Sequence, residues 1–343
     1  MAGSWDDSVW EGVSRMDIWL VSDGGVEQQR VEELQVLLQC KDRLVWVDIP
    51  ECDEQAIQAL TEVFGFHPLA IRDCLERNQV PKIHPYSDHL FVVLHASERG
   101  KGGHVHLLEL DQFIGPNYLV TVHGPVNPAA PADAALRETR AVLKRIQAGR
   151  LHPRSSFELS YAIVAAITRH QEAFVAALAR EAGLLEQQVM SDEIGDPEQF
   201  LEELFRARHE LLVVRTMAGQ SREVYGRMAA ALIRYIPREA QPLVADLADQ
   251  LERVRGLADG EKDFLHGVIE FYQTRTDTKM TIAAERLAVI AAVTLPITAL
   301  SSIYGMNVIV NDRTHYLQLA VLLAVMAAMS AVLLRWTKQQ GWW

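Results

Sequence analysis

Cysteine is scarce in this chain. Cys40, Cys52 and Cys74 are the only three in 343 residues, they form no CxxC pair, and an odd count closes no even framework. A disulfide-stapled secreted fold is therefore excluded, and the three are read as packed thiols rather than metal ligands. Basic charge is also short, with 33 Lys and Arg against 45 Asp and Glu for a net of −12. No nucleic-acid partner is expected from such a balance, because phosphate binding requires basic patches. Catalytic signatures are missing too: there is no phosphate-cradling glycine loop, no GxSxG and no HExxH, and the twelve histidines are scattered. His104-x-His106 reads as an exposed strand face. The opening MAGSWDDSVWEGVSRMD has no basic start and no apolar run, so no cleaved leader is read there.

The most informative shortage lies at the other end. Residues 287–343 hold only Asp312, Arg313, Arg335 and Lys338, a net of +2, which leaves −14 on the preceding residues. Leu287–Tyr304 and Tyr316–Leu334 carry no charge at all. Each is close to the ~20 residues that a helix needs to cross ~30 Å of hydrocarbon. Two such runs, separated only by Gly305–His315, predict a membrane protein with a bilayer as its surroundings. Arg275, Lys279 and Arg286 precede the first run and Arg335 and Lys338 follow the second, so both termini are expected in the cytoplasm.

The body before those spans changes character once. Arg43–Ile49, Leu90–Ala96, Val105–Leu110 and Asn117–His123 read as strands, with helical spacing over Asp53–Phe64 and Pro68–Glu76. Pro81 and Pro85 are expected to break the chain before the second strand. After the proline-rich Gly124–Asp133, helices are predicted over Ala134–Gln147, Ser156–Met190 and Pro197–Tyr235. The expected divisions are an α/β lobe at 1–125, a helical region at 126–236, and a stalk helix with the first span at 237–304. An external loop at 305–315, a second span at 316–335 and a tail at 336–343 complete them. The fold class is α+β, with a long stalk helix and two C-terminal membrane helices.

Pro237 and Pro242 suit the first turn of that stalk helix, and the next proline is Pro296, inside the first span. Continuous over about 65 residues, such a helix would extend roughly 100 Å at 1.5 Å per residue. That length needs partners along its side, most simply copies of itself in a symmetric oligomer. At seven-residue steps, Asp249, Gly256, Asp263, Glu270, Asp277, Ala284, Ala291, Thr298 and Gly305 share a position. A parallel seam runs from Asp246 through Arg253, Gly260, Gly267, Thr274, Thr281, Ala288 and Leu295 to Ser302. Carboxylates below and small or hydroxylated residues above suit a hydrated path with a sink for cations, Glu270 and Asp277 included. A solvated acidic face continuing into small-residue membrane packing is the competing reading. Pro296 lacks an N–H and crowds the Ala292 carbonyl, so a kink or local unwinding is expected there.

At the outer end of the first span stands Tyr304-Gly305-Met306-Asn307. The glycine is expected to let the chain leave the helix, and the asparagine offers an amide oxygen. Mg²⁺ dehydrates reluctantly, so a ring of neutral oxygens addressing its water shell suits that cation.

These residues resemble the CorA family of magnesium and cobalt transporters. The likeness runs through Thr278–Asn307, the placement of Pro296, the second span with its basic flank, and the lobe segments Phe64–Leu94 and Ile114–His123. It implies a funnel-shaped homopentamer in the cell (inner) membrane that conducts Mg²⁺, with Co²⁺ or Ni²⁺ as further cargo, down its electrochemical gradient. Gly305, Met306 and Asn307 would be the selectivity filter. Thr281, Leu287, Ala291, Leu295, Thr298 and Ser302 match the family's pore wall. Asp73 and Asp246 match carboxylates that hold regulatory divalent ions between subunits, and Glu270 matches an acidic stalk position. Two departures stand out: VIVNDRTHY follows the filter where the family often has an acidic stretch, and Arg72 precedes Asp73 where an acid is common. Beside Asp73, Arg72 would act as a permanent cation. A zinc transporter of the same fold and a membrane-anchored sensor without transport are the alternatives.

Overall fold

The computed structural model describes residues 16–22, 24–40, 42–100, 104–131, 133–191, 194–308 and 316–339. The chain divides after His266 into two units.

The first unit is built on one seven-stranded sheet. Its strands are β1 (Asp17–Ser22), β2 (Gly25–Gln29), β3 (Leu44–Ile49), β4 (Lys82–Pro85), β5 (Leu90–Arg99), β6 (Val105–Ile114) and β7 (Tyr118–His123). Their order is β2-β1-β3-β7-β6-β5-β4, antiparallel throughout except for the parallel pair β3 and β7. Short helices α1 (Leu34–Leu37), α2 (Glu54–Gln58) and α3 (Pro68–Leu75) intervene, with a π turn at Ala59–Val63. The long helices follow: α4 (Arg137–Gln147), α5 (Ser156–Ser191), α6 (Pro197–Ala230) and α7, which begins at Gln241.

Strand alternation explains the layering. On β5, Leu90, Val92, Leu94 and Ala96 enter one core, while Phe91 and Val93 enter the other. Side chains two apart share a face, so a strand with no polar alternation must be covered on both sides. One cover is α4, α5, α6 and the start of α7, through Val142, Ile163, Tyr225, Val244 and Leu251. The other is Leu34, Ala56, Leu60, Phe66, Ala70 and Ile71 from the short helices. Regions 1–125 and 126–236 therefore share one core. The chain turns where it must: Gly149, at φ +65°, closes α4 in a left-handed cap, and Gly115 leaves space for the Tyr118 ring that a Cβ would fill.

The second unit comprises the rest of α7, which ends at Val308, and α8 (Tyr316–Gln339). Helix α7 is continuous over 68 residues and passes through Gly256, Gly260, Gly267 and Pro296. The unwinding expected at Pro296 is not observed. A proline removes one N–H, and the surrounding bonds keep the helix in register. Thr294 and Thr298 add hydroxyl bonds to the Ile290 and Thr294 carbonyls, each at 2.8 Å. The exit expected at Gly305 is corrected as well: the backbone stays helical through Gly305, Met306 and Asn307. Residues 309–315, with Asp312 and Arg313, lie outside the described residues.

Candidate functional site

Asp73 stands on α3, whose start is fixed by Pro68 and by His67, with Nδ1 accepting from the Leu69 N–H at 3.1 Å. Ala70, Ile71 and Cys74 turn into the core, leaving Asp73 half-buried. Its carboxylate meets the Lys82 ammonium, Nζ to Oδ2 2.7 Å. Arg72, expected against Asp73, pairs with Glu76 at 2.8 Å instead. Helical geometry explains the correction: residues four apart share a face, whereas neighbours diverge by about 100°. The exposed Arg72–Glu76 pair contributes little to stability.

Lys82 is held from a second side, donating to Asn78 Oδ1 at 2.6 Å. Asn78 is a hub. Its Nδ2 donates to the Asp73 carbonyl at 2.8 Å and to Glu109, and its N–H donates to Glu109 Oε2 at 2.7 Å. The His95 Nε2–H donates to its carbonyl at 2.8 Å. Burial holds the His95 imidazole below its usual pKa, so the ring is neutral at neutral pH.

Beneath the hub lies an acid pair. Glu109 and Asp111 alternate on β6 and share a face. Asp111 is fully buried, and neither of its oxygens accepts a hydrogen bond from the described residues. Burial, and then the Glu109 charge, push its carboxyl well above the usual range, so Asp111 carries a proton. Burial also raises the Cys74 thiol and takes Cys52 to about 11, which keeps both sulfurs protonated. No group of three or more His, Cys, Asp or Glu among the described residues is arranged to hold a metal ion within one chain.

Asp246, exposed on α7, belongs to a separate network. Its Oδ2 accepts from the Tyr161 hydroxyl at 2.7 Å and from Gln250 Nε2 at 2.6 Å, and Gln250 Oε1 accepts from Thr168 at 2.8 Å. The bond to Asp246 raises the Tyr161 phenol above its ordinary pKa. Asp73 and Asp246 are thus not brought together within one chain. Both present hard carboxylate oxygens at accessible positions, the donor type that Mg²⁺ takes. On Asp73 one oxygen already carries Lys82.

On the second unit, Glu270, Asp277, Thr281, Leu287, Leu295, Thr298 and Ser302 are exposed and Ala291 is half-buried. All eight fall within about 120° of helical arc at 100° per residue. Thr281 Oγ1 donates back to the Asp277 carbonyl at 2.9 Å, and the Thr274 hydroxyl to the Glu270 carbonyl at 2.9 Å. Leu287 and Leu295 keep 66% and 68% of their surface, far more than a folded single chain leaves on a stripe of leucines. Among the described residues two helices are long and apolar enough to cross a membrane, and the apolar stretches of both are almost wholly uncovered within the chain. Lys82, Asn78, Glu109 and Asp111 are the neighbours that sequence reasoning missed. The signal available was Glu109-x-Asp111 in a strand of apolar residues.

Two apolar helices of spanning length, α7 and α8, together with an acidic α/β unit, give the chain the make-up of a membrane protein. The model of the CorA-like Mg²⁺ transporter protein family matches residues 41–339, and the chain belongs to that family. It is therefore a divalent metal ion transporter. The protein named metal ion transporter YfjQ, from Bacillus subtilis (strain 168), is 27% identical over 302 residues, covering 87% of this chain and 89% of its own. The cobalt/magnesium transport protein CorA of Thermotoga maritima is 22% identical over 304 residues, covering 87% of this chain and 83% of its own. The complete structure of the CorA magnesium transporter from Methanocaldococcus jannaschii superposes with a TM-score of 0.79 at 16% identity, over 96% of this chain and 99% of that one.

Proposed function

We propose that five copies of this chain form a pore in the inner membrane that admits Mg²⁺ to the cytoplasm down its electrochemical gradient, with Co²⁺ as a second cargo. The single observation that carries this reading is α7, a helix continuous from the acidic body to a last turn holding Gly305, Met306 and Asn307. In a symmetric ring the face from Thr281 through Leu287, Ala291, Leu295 and Thr298 to Ser302 would line the path. Small and hydroxylated side chains there leave width for a hydrated ion, and the leucines form dry constrictions. Gly305, Met306 and Asn307 would filter at the outer mouth, where neutral oxygens address the water shell that Mg²⁺ retains. Glu270 and Asp277 would raise the cation concentration on the cytoplasmic side. Both termini would be cytoplasmic, with residues 305–315 outside, as the basic flanks at Arg275, Lys279, Arg286, Arg335 and Lys338 suggest.

The same reading assigns Asp73 and Asp246 to regulation. With Asp73 of one subunit opposite Asp246 of the next, cytoplasmic Mg²⁺ bridging the two would hold the ring closed, and its loss would loosen it. A ligand shifts such an equilibrium only by its differential affinity for the two states, so modest sites at several interfaces must act together.

The test is ion uptake into proteoliposomes with Mg²⁺, Co²⁺, Ni²⁺ and Zn²⁺ in competition. Mg²⁺ flux that Co²⁺ inhibits, and its loss by at least about tenfold in an assembled Asn307→Ala protein, are expected from the missing amide ring. Uptake of Zn²⁺ unaffected by Mg²⁺ would favour a zinc transporter of the same fold. Absence of flux in an assembled protein would leave an anchored sensor.

A further inference from the structure

We infer that Lys82 is a built-in competitor for the divalent cation at Asp73, so that Mg²⁺ binds there only by displacing its ammonium group. This rests on the reading of Asp73 as a regulatory ligand. The argument begins with position. Strand β4 is the last of the sheet and, among the described strands, pairs with β5 alone, so Lys82, its first residue, stands at the sheet edge. A lysine at such an edge is ordinarily a mobile, solvated charge. Here Nζ is fixed between Asp73 Oδ2 at 2.7 Å and Asn78 Oδ1 at 2.6 Å. Asn78 cannot yield easily, because Glu109 and His95 take its remaining backbone and amide groups. The side chains of Lys82 and Asp73 keep 27% and 28% of their surface, enough shielding to strengthen the pair and enough access for a hydrated cation.

The exchange is chemically balanced. An ammonium has three donors, so when Mg²⁺ takes the carboxylate, Nζ keeps its bond to Asn78 and turns its other hydrogens to water. The lobe need not rearrange. What changes is the concentration at which Mg²⁺ succeeds. Arg72 does not compete, because Glu76 holds it.

The experiment follows protection of the cytoplasmic body of the assembled full-length protein from a glutamate-specific endoprotease as Mg²⁺ is raised. None of the substitutions adds or removes a glutamate. Lys82→Met should lower the Mg²⁺ midpoint about tenfold, equivalent to about 1.4 kcal/mol. Lys82→Arg should stay near the wild-type midpoint, because it restores a cation beside Asp73. Arg72→Gln should also stay there, since it removes an equal charge one residue away without freeing Asp73. A Lys82→Met midpoint within twofold of wild type, with the response abolished in Asp73→Asn, overturns the competitor and leaves Asp73 as a ligand. Equal shifts in Lys82→Met and Arg72→Gln also overturn it, in favour of a general field effect. An Asp73→Asn protein that responds like wild type, or no response in any variant, overturns the Asp73 reading and the competitor with it.

Discussion

A carboxyl group buried beside another carboxylate is costly to ionise, and Asp111 is such a group. It is fully buried, Glu109 lies beside it on the same strand face, and burial raises its pKa well above 3.8. In the unfolded chain the same side chain titrates at its ordinary value. From pH 3.8 up to the raised folded value, the folded state therefore holds a proton that the unfolded state has released, and stability falls by up to about 1.4 kcal/mol per pH unit. Below pH 3.8 both states are protonated and the contribution vanishes. Asparagine keeps the shape, donates to Glu109 and cannot ionise. Asp111→Asn should accordingly raise the denaturation midpoint of the purified full-length protein at pH 7, with a gain that shrinks steadily towards pH 4. A difference from wild type that is independent of pH would contradict the proton on Asp111.

At the scale of elements, the stalk poses the sharper question of whether its acids act on ions or only on water. Glu270 and Asp277 are exposed and share a helical face with the residues from Thr281 to Ser302. If they concentrate cations, neutralising both in Glu270→Gln/Asp277→Asn should lower single-channel conductance severalfold at ~0.01 M salt. The effect should be small at ~0.15 M, where the Debye length has shortened from about 30 Å to about 8 Å. Conductance equal to wild type at every ionic strength would make the stripe a solvated face. The sequence was most legible in this part of the molecule. The uncharged runs marked α7 and α8, and long apolar strings marked β3, β5, β6 and β7. Strands β1, β2 and β4 were not legible, for separate reasons. β2 reads GVEQQ and has no apolar alternation, and β4 reads KIHP with a proline that only an edge strand tolerates. The apolar pattern of β6 ends at Leu110, one residue before Asp111, so the pattern alone leaves that acid outside the strand. Its burial depends on α3 and the segment around Cys52, well before β6 in the chain, which local pattern cannot reveal. Gly305 looked like a helix exit because glycine permits one, yet permission is not a requirement.

For the whole molecule, the glycines of α7 carry a message about neighbours. Gly256, Gly260 and Gly267 would each have open space for a Cβ within the chain, while each costs the helix up to about 1 kcal/mol relative to alanine. Nothing among the described residues of one chain calls for them, and the proposed ring would give them neighbouring stalks to meet. Assembly also decides the final prediction. In the proposed ring Asp246 faces the neighbour's Asp73, and the Lys82 ammonium on Asp73 offsets only part of the repulsion between the two carboxylates. Mg²⁺ removes the remainder, and a lysine at 246 would remove it permanently. Asp246 is exposed, and among the described residues its side chain bonds to Tyr161 and Gln250, both at the surface of the body, so the exchange should leave the body folded. Asp246→Lys is then expected to protect the body from protease without Mg²⁺, to the level that wild type reaches at saturating Mg²⁺. Uptake by the same protein in proteoliposomes should fall, because a ring held by a fixed charge cannot loosen when the internal ion is withdrawn. A variant that is open and protease-sensitive at all Mg²⁺ concentrations would place Asp246 away from the neighbour's carboxylate. The filter and the stalk would be unaffected by that result, since they depend on α7 beyond His266 and not on this interface.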